Sequence, residues 1–133
     1  MPENKDTKIV IKRFDFKILN EGDRINKTFE LDKNIVHVIG MLVTANKDQM
    51  LYFRGDMKLE INKDEIFPEG YESKLLMSGI NVGVNHRYYD INKPAGQGKI
   101  DILYQDNADP TISIFQPYAV RLYIKCEQEK DLK

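Results

Sequence analysis

Apolar side chains recur at every second position in several stretches of this chain. Met57, Leu59 and Ile61 alternate with Lys58, Glu60 and Asn62. Ile100, Ile102 and Tyr104 share one phase, with Lys99 and Asp101 in the other. Val120, Leu122, Ile124 and Cys126 alternate with Arg121, Tyr123 and Lys125. A period of two puts each set on one face of a sheet, whereas on a helix the same residues would scatter around the circumference. The chain is therefore read as all-β.

Two stretches depart from simple alternation. Ile9 and Ile11 hold one phase and Phe14, Phe16 and Ile18 the other, which predicts a bulge at Lys12-Arg13 that keeps both sets facing the core. Residues 35–43 are apolar almost throughout and rich in β-branched side chains, the pattern of a central strand covered on both faces. Turn signals divide the rest, among them Asn20-Glu21-Gly22-Asp23, Asn46-Lys47-Asp48, Arg54-Gly55-Asp56 and Gln116-Pro117. The resulting strands are 8–19, 27–32, 35–45, 50–54, 57–63, 71–78, 86–91, 98–105 and 111–126, the last split at Pro117, with Glu72 to Ser78 a short helix as the alternative. Eight or nine strands so spaced predict a two-sheet antiparallel sandwich, jelly-roll-like, although a small barrel shares these signals. Residues 8–126 form the single domain expected of a 133-residue chain, between charged flexible tails at 1–7 and 127–133.

Composition narrows the function. Lys plus Arg number 20 against 21 Asp plus Glu, so the basic excess of a nucleic-acid binder is missing. Cys126 is the only cysteine, which suits a reducing compartment or a particle assembled inside a cell. No apolar run reaches the length of about 20 residues that a spanning helix needs. Met1 to Lys8 is polar, so neither a secretory signal nor a membrane partner is expected, and the acceptor-like Asn26-Lys27-Thr28 carries no weight.

No motif points to catalysis. His37, His86 and Cys126 lack zinc-ligand spacing, and His37 is expected to be buried and hydrogen-bonded inside its apolar strand. Neither Ser73, Ser78 nor Ser113 lies in a nucleophile elbow. Gly96-Gln97-Gly98-Lys99 has the wrong spacing for a phosphate loop. Asp106, Asn107 and Asp109 lack the glycine and distant Glu of a calcium loop. Arg54-Gly55-Asp56, the integrin-read tripeptide, falls where a hairpin turn is expected. Asp15 and Asp64-Glu65 are not marked out as a glycosidase pair. The absence of Trp counts against a sugar-binding platform, and two histidines are too few for a cupin-type metal enzyme. A non-enzymatic protein without cofactors is expected.

What remains is a candidate interaction surface. His86, Arg87, Tyr88 and Tyr89 adjoin one another, and Phe67 and Tyr71 lie beside a turn; Arg and Tyr are favoured at binding hot spots. Phe53, Phe115 and Tyr118 also lie next to turns, and aromatics so placed anchor interfaces or serve equally to plug the end of a sandwich.

The stretch Leu59-Glu60-Ile61-Asn62-Lys63-Asp64-Glu65-Ile66-Phe67-Pro68-Glu69-Gly70-Tyr71 resembles small single-jelly-roll virion proteins of bacteriophages. Arg87-Tyr88-Tyr89 and the strand from Lys99 to Tyr104, ending in Asp106, fall in compatible places, and the likeness covers about half of the chain. It implies a capsid-associated decoration, vertex or fibre subunit. Such a subunit acts through symmetric homo-oligomerisation and contacts with other virion proteins, in a virion or the bacterial cytoplasm. The alternative is a small sandwich that binds carbohydrate or protein through loops at one end.

Overall fold

A computed structural model describes residues 7–78, 82–83, 86–108 and 114–130. It contains strands β1 (Thr7–Ile18), β2 (Arg24–Glu30), β3 (Ile35–Ala45), β4 (Gly55–Ile61), β5 (Asp64–Phe67), β6 (Tyr89–Pro94), β7 (Lys99–Asp106) and β8 (Tyr118–Glu129). Helix α1 (Asp48–Arg54) joins β3 to β4, and a 3-10 turn spans Ser73–Leu76. The strands form two antiparallel four-stranded sheets in the orders β1-β8-β3-β6 and β2-β7-β4-β5. The chain crosses between sheets at every connection except β4–β5. This is the strand order of a jelly roll, two interlocked Greek keys.

The alternating sets meet between the sheets. Met57, Leu59, Ile61, Ile100, Ile102 and Tyr104 of one sheet, and Val120, Leu122, Ile124 and Cys126 of the other, are each no more than 3% exposed. Burial pushes the Cys126 thiol up to about 11, so at neutral pH it packs as a small apolar group.

Several expectations are corrected. The segment 50–54 is helical: its buried residues are Met50, Leu51 and Arg54, one side of a helix turn, and Asp48 and Arg54 complement the helix dipole at its two ends. Arg54-Gly55-Asp56 is thus a helix-to-strand junction, not a hairpin turn. The segment 71–78 holds only a bridge from Glu72 to Asp56 and the 3-10 turn. The expected strand 57–63 instead ends at Ile61, and Asn62-Lys63 turns the chain into β5. Both residues have positive φ, 52° and 71°, and form the tight turn of a β4–β5 hairpin. β2 starts earlier than expected, and β6 starts later. β8 begins just after Pro117; residues 114–117 are not strand, contrary to the expected strand from 111, and residues 111–113 lie outside the described residues. It continues through Glu127, Gln128 and Glu129 to pair with β1, so these three residues belong to the sandwich. The remaining tail residues, 1–6 and 131–133, lie outside the described residues.

The expected bulge at Lys12-Arg13 is absent. β1 pairs with β8 in unbroken register from Thr7↔Glu129 to Ile18↔Tyr118. Ile9 and Ile11 consequently face outward, 54% and 53% exposed. The phase switch occurs in β3 instead, where the register shifts between Val38 and Gly40 and the buried set passes from Val38 to Met41. The outer face of β3 is only half covered, and His37 on it is half-buried opposite Pro94 and Glu127.

Gly55 is a close approach the fold depends on: a Cβ there would run into the hydroxyl end of the Tyr104 ring, itself fully buried. Gly55→Ala is expected to cost about 1–3 kcal/mol, the usual range for overpacking, measured as a lower urea midpoint with an unchanged slope.

Candidate interaction surface at the long-loop end

The two ends of the sandwich differ. At one end β2–β3, β4–β5 and β6–β7 are joined by the short segments 31–34, 62–63 and 95–98. At the other lie the longer segments 19–23, 46–54, 68–88 and 107–117. Long connections held on a rigid scaffold are where binding surfaces are usually built.

A buried polar cluster braces that end. Arg54, the last residue of α1, and Asp106, the last of β7, are 2% and 1% exposed. They form a forked ion pair, with Arg54 Nε donating to Asp106 Oδ1 at 3.0 Å and Nη2 to Oδ2 at 2.9 Å. Arg54 Nη2 also donates to Glu21 Oε2 at 3.0 Å, and the guanidinium lies 5.1 Å from the Phe115 ring centre. Asp106 accepts two further bonds, from the Gly22 N–H at 2.9 Å and the Tyr118 hydroxyl at 2.6 Å. Tyr118 is spent as a donor to Asp106, so Tyr104 donates to Tyr118 across 2.8 Å. The backbone follows the same ties: Asp106 N–H donates to Asp23 O and Asn107 N–H to Arg54 O. Three of the long connections therefore converge on one ion pair.

The cluster sets its own protonation. Burial pushes the Asp106 carboxyl up, but bonds from Arg54, the Gly22 N–H and Tyr118 outweigh it and hold the group below the usual carboxylate range. Burial raises both Tyr104 and Tyr118, so both phenols stay protonated donors at neutral pH.

The sequence-predicted residues gather at the same end. Phe67 is 2% exposed and is a core residue, not a contact surface. Tyr71 stacks on it at 4.6 Å between ring centres, and Tyr89 meets it edge-on at 5.1 Å. Burial, followed by a hydrogen bond with Tyr89, raises the Tyr71 hydroxyl. Tyr88 crosses the outer face of β3 over Gly40, where a Cβ would lie 2.8 Å from the Tyr89 carbonyl oxygen. Lys125 Nζ sits 5.8 Å from the Tyr88 ring centre. Arg87 Nε donates to Val82 O at 2.8 Å, and His86 is exposed. Residues 86–89, Val82 and residues 75–78 line an open groove of about 390 Å³. The predicted set thus divides into a groove wall, His86 to Tyr89, and an aromatic prop behind it, Phe67 and Tyr71.

Sequence reasoning picked out Tyr89 and the turn-flanking Phe53 but missed the rest of the apolar surface at this end. Of the nine large apolar side chains exposed among the described residues, seven lie on this end. They are Leu19 after β1, Tyr52 and Phe53 on α1, Leu75, Val82 and Tyr89 on the β5–β6 connection and its entry to β6, and Ile114 before β8. Tyr52 and Phe53 pack edge to face at 4.9 Å, with Lys74 Nζ 5.4 Å from the Tyr52 ring centre. A helical reading of 48–54 would have separated buried Met50 and Leu51 from exposed Tyr52 and Phe53.

Among the described residues there is no cluster of three or more His, Cys, Asp or Glu able to hold a metal, and no helix long and apolar enough to cross a membrane. Ser73 is fully buried, and burial of Arg54 withdraws the Arg54-Gly55-Asp56 tripeptide from any receptor. Comparisons with protein-family models, with curated proteins and with solved structures find no match.

Removing one partner of the buried pair leaves the other charge uncompensated. Arg54→Leu is expected to cost about 3–5 kcal/mol in denaturant unfolding. Because the Asp106 carboxyl is lowered by folding, its stabilisation is complete above the unfolded carboxyl's pKa of about 4 and is lost as pH falls through the lower folded value. Asp106→Asn should therefore lower stability at pH 7 and flatten its decline below about pH 4, followed as unfolding free energy against pH.

Proposed function

We propose that this protein is a non-enzymatic structural or assembly subunit that works by docking the long-loop end of its sandwich against other protein subunits. The observation that carries this reading is the concentration of exposed apolar side chains there, seven of nine, beside a buried ion pair that holds the loops in place. Apolar and aromatic groups on a preorganised platform suit a protein interface, since little conformational entropy is lost when they are covered. The resemblance to single-jelly-roll virion proteins of bacteriophages fits the same reading and supplies its setting, a capsid-associated subunit of symmetric assemblies.

A second reading rests on the groove. About 390 Å³ walled by His86, Arg87 and Tyr88, together with apolar Leu75 and Met77, has the mixed lining of a small-ligand or glycan site. It makes the protein a binding module, and a glycan array is its direct test.

For the leading reading the test is light scattering coupled to size exclusion over a wide concentration range. The expected result is an assembly of defined mass, a multiple of the 15.5 kDa chain. Phe53→Ser with Leu75→Ser should weaken it by roughly 2 kcal/mol or more, as truncation of interface anchors does. A monomer at every concentration, or a double variant that assembles like the wild type, rejects docking through this end.

A further inference from the structure

The two exposed apolar residues that do not belong to the long-loop end are Ile9 and Ile11, and both lie on β1. β1 is an edge strand of 12 residues: β8 pairs with one side, and no described strand pairs with the other. An edge this long presents a row of unpaired backbone donors and acceptors, which proteins usually blunt with proline, a bulge or a charge. β1 contains no proline, its register with β8 is unbroken, and of the two charges in its inward phase Lys8 is exposed near the strand's start while Lys12 is matched by Asp32 at 2.8 Å. Its outer face reads Ile9, Ile11, Arg13, Asp15, Lys17.

We propose that the free edge of β1 pairs antiparallel with β1 of a second copy, about a two-fold axis through Phe14, so that two four-stranded sheets become one. Charge complementarity selects both the occupant and the register. Within each strand Arg13 donates to Asp15, Nε to Oδ1 at 2.9 Å and Nη2 to Oδ2 at 2.8 Å. With the axis at Phe14 two such pairs meet head to tail, Arg13 against the partner's Asp15 and Asp15 against the partner's Arg13, and close into a ring of four alternating charges. Ile11 lies against the stem of the partner's Lys17, and Ile9 against the partner's Leu19, itself 60% exposed. No like charges meet directly. Axes at Lys12, Arg13 or Asp15 would each set a charged residue against its own copy, which is destabilising. An axis at Phe16 would leave Ile9 and Ile11 uncovered. An axis at Ile11 also opposes no like charges, but it sets Arg13 against Ile9 and Asp15 against Thr7. Only the axis at Phe14, which pairs residues 10–18, cross-matches Arg13 with Asp15 in an isologous contact. This surface shares only Leu19 with the long-loop end.

The test is a charge exchange read by light scattering and sedimentation. The wild type is expected to dimerise through this edge. Arg13→Asp alone sets aspartates face to face, and Asp15→Arg alone sets arginines face to face, twice per dimer in each case. Each should weaken dimerisation about tenfold or more. The double exchange should restore it, and Ile9→Lys with Ile11→Lys should abolish it. All four side chains point outward, so thermal midpoints of the monomers should stay near that of the wild type; that measurement separates lost pairing from lost folding. A monomeric wild type, or a dimer indifferent to these variants, overturns edge pairing. Single variants that weaken the dimer with no rescue by the double exchange overturn it too. The two surfaces fail separately: an assembly dissolved by Phe53→Ser with Leu75→Ser but untouched by the β1 variants removes edge pairing and leaves loop-end docking in place.

Discussion

The forked pair between Arg54 and Asp106 is the interaction around which this sandwich closes. Neither charge tolerates burial alone, because desolvating an ion costs several kcal/mol before any partner is counted. Here the Asp106 carboxylate is met by four donors, supplied by α1, by the β1–β2 turn and by the first residue of β8. Each donor fixes the element that carries it. The end of β7 thus becomes a common anchor for segments far apart in sequence. A hydrophobic cluster of the same size would hold those segments together with less directional control, since apolar contact has no preferred geometry. The ion pair gives the long loops a defined arrangement, and the aromatic groups they carry are defined with them.

Much of the fold was legible because a two-sheet sandwich writes itself as period two. The sets in β4, β7 and β8 are buried as their alternation implied. Reading failed where a short apolar run carried no period of its own. Residues 50–54 are apolar at every position but the last, and such a run fits a strand or a helix turn until its buried face is known. The strand at 64–67 was lost for a different reason. Asn62-Lys63 adopts positive φ with no glycine to announce it. Ile9 and Ile11 show the cost of assuming that every isoleucine belongs in a core. The unbroken β1–β8 ladder leaves no room for the bulge that would turn them inward.

The candidate site was legible only in part. His86 to Tyr89 stood out as a local cluster, and local clusters are what sequence displays. Phe67 and Tyr71 were drawn into the same neighbourhood by their place beside a turn, yet the fold puts Phe67 behind the wall, not on it. In sequence Arg54 stands out as part of an adhesion tripeptide and Asp106 as part of an acidic turn, neither of which is its place in the fold. Their partnership spans 52 positions. No periodicity or spacing rule links residues that far apart, because the link is made by strand order, and strand order is a property of the whole sheet.

The distribution of exposed apolar surface follows the same topology. In this jelly roll three connections, two of them crossings between sheets, span only two to four residues and carry no exposed large apolar side chain. The remaining connections must travel farther, and the length gained there carries α1, the 3-10 turn and most of the exposed aromatic groups. Sheet edges are the other places where such a fold meets its surroundings, and they differ in kind. β2, β5 and β6 are short, whereas β1 is the longest of the four, pairs in unbroken register and carries Ile9 and Ile11 on its outer face. A protein whose sole task was to hold a small ligand would need neither a long open edge nor an apolar loop end, since each raises the risk of self-association. Both features together fit the proposed subunit, which would meet neighbours on more than one side.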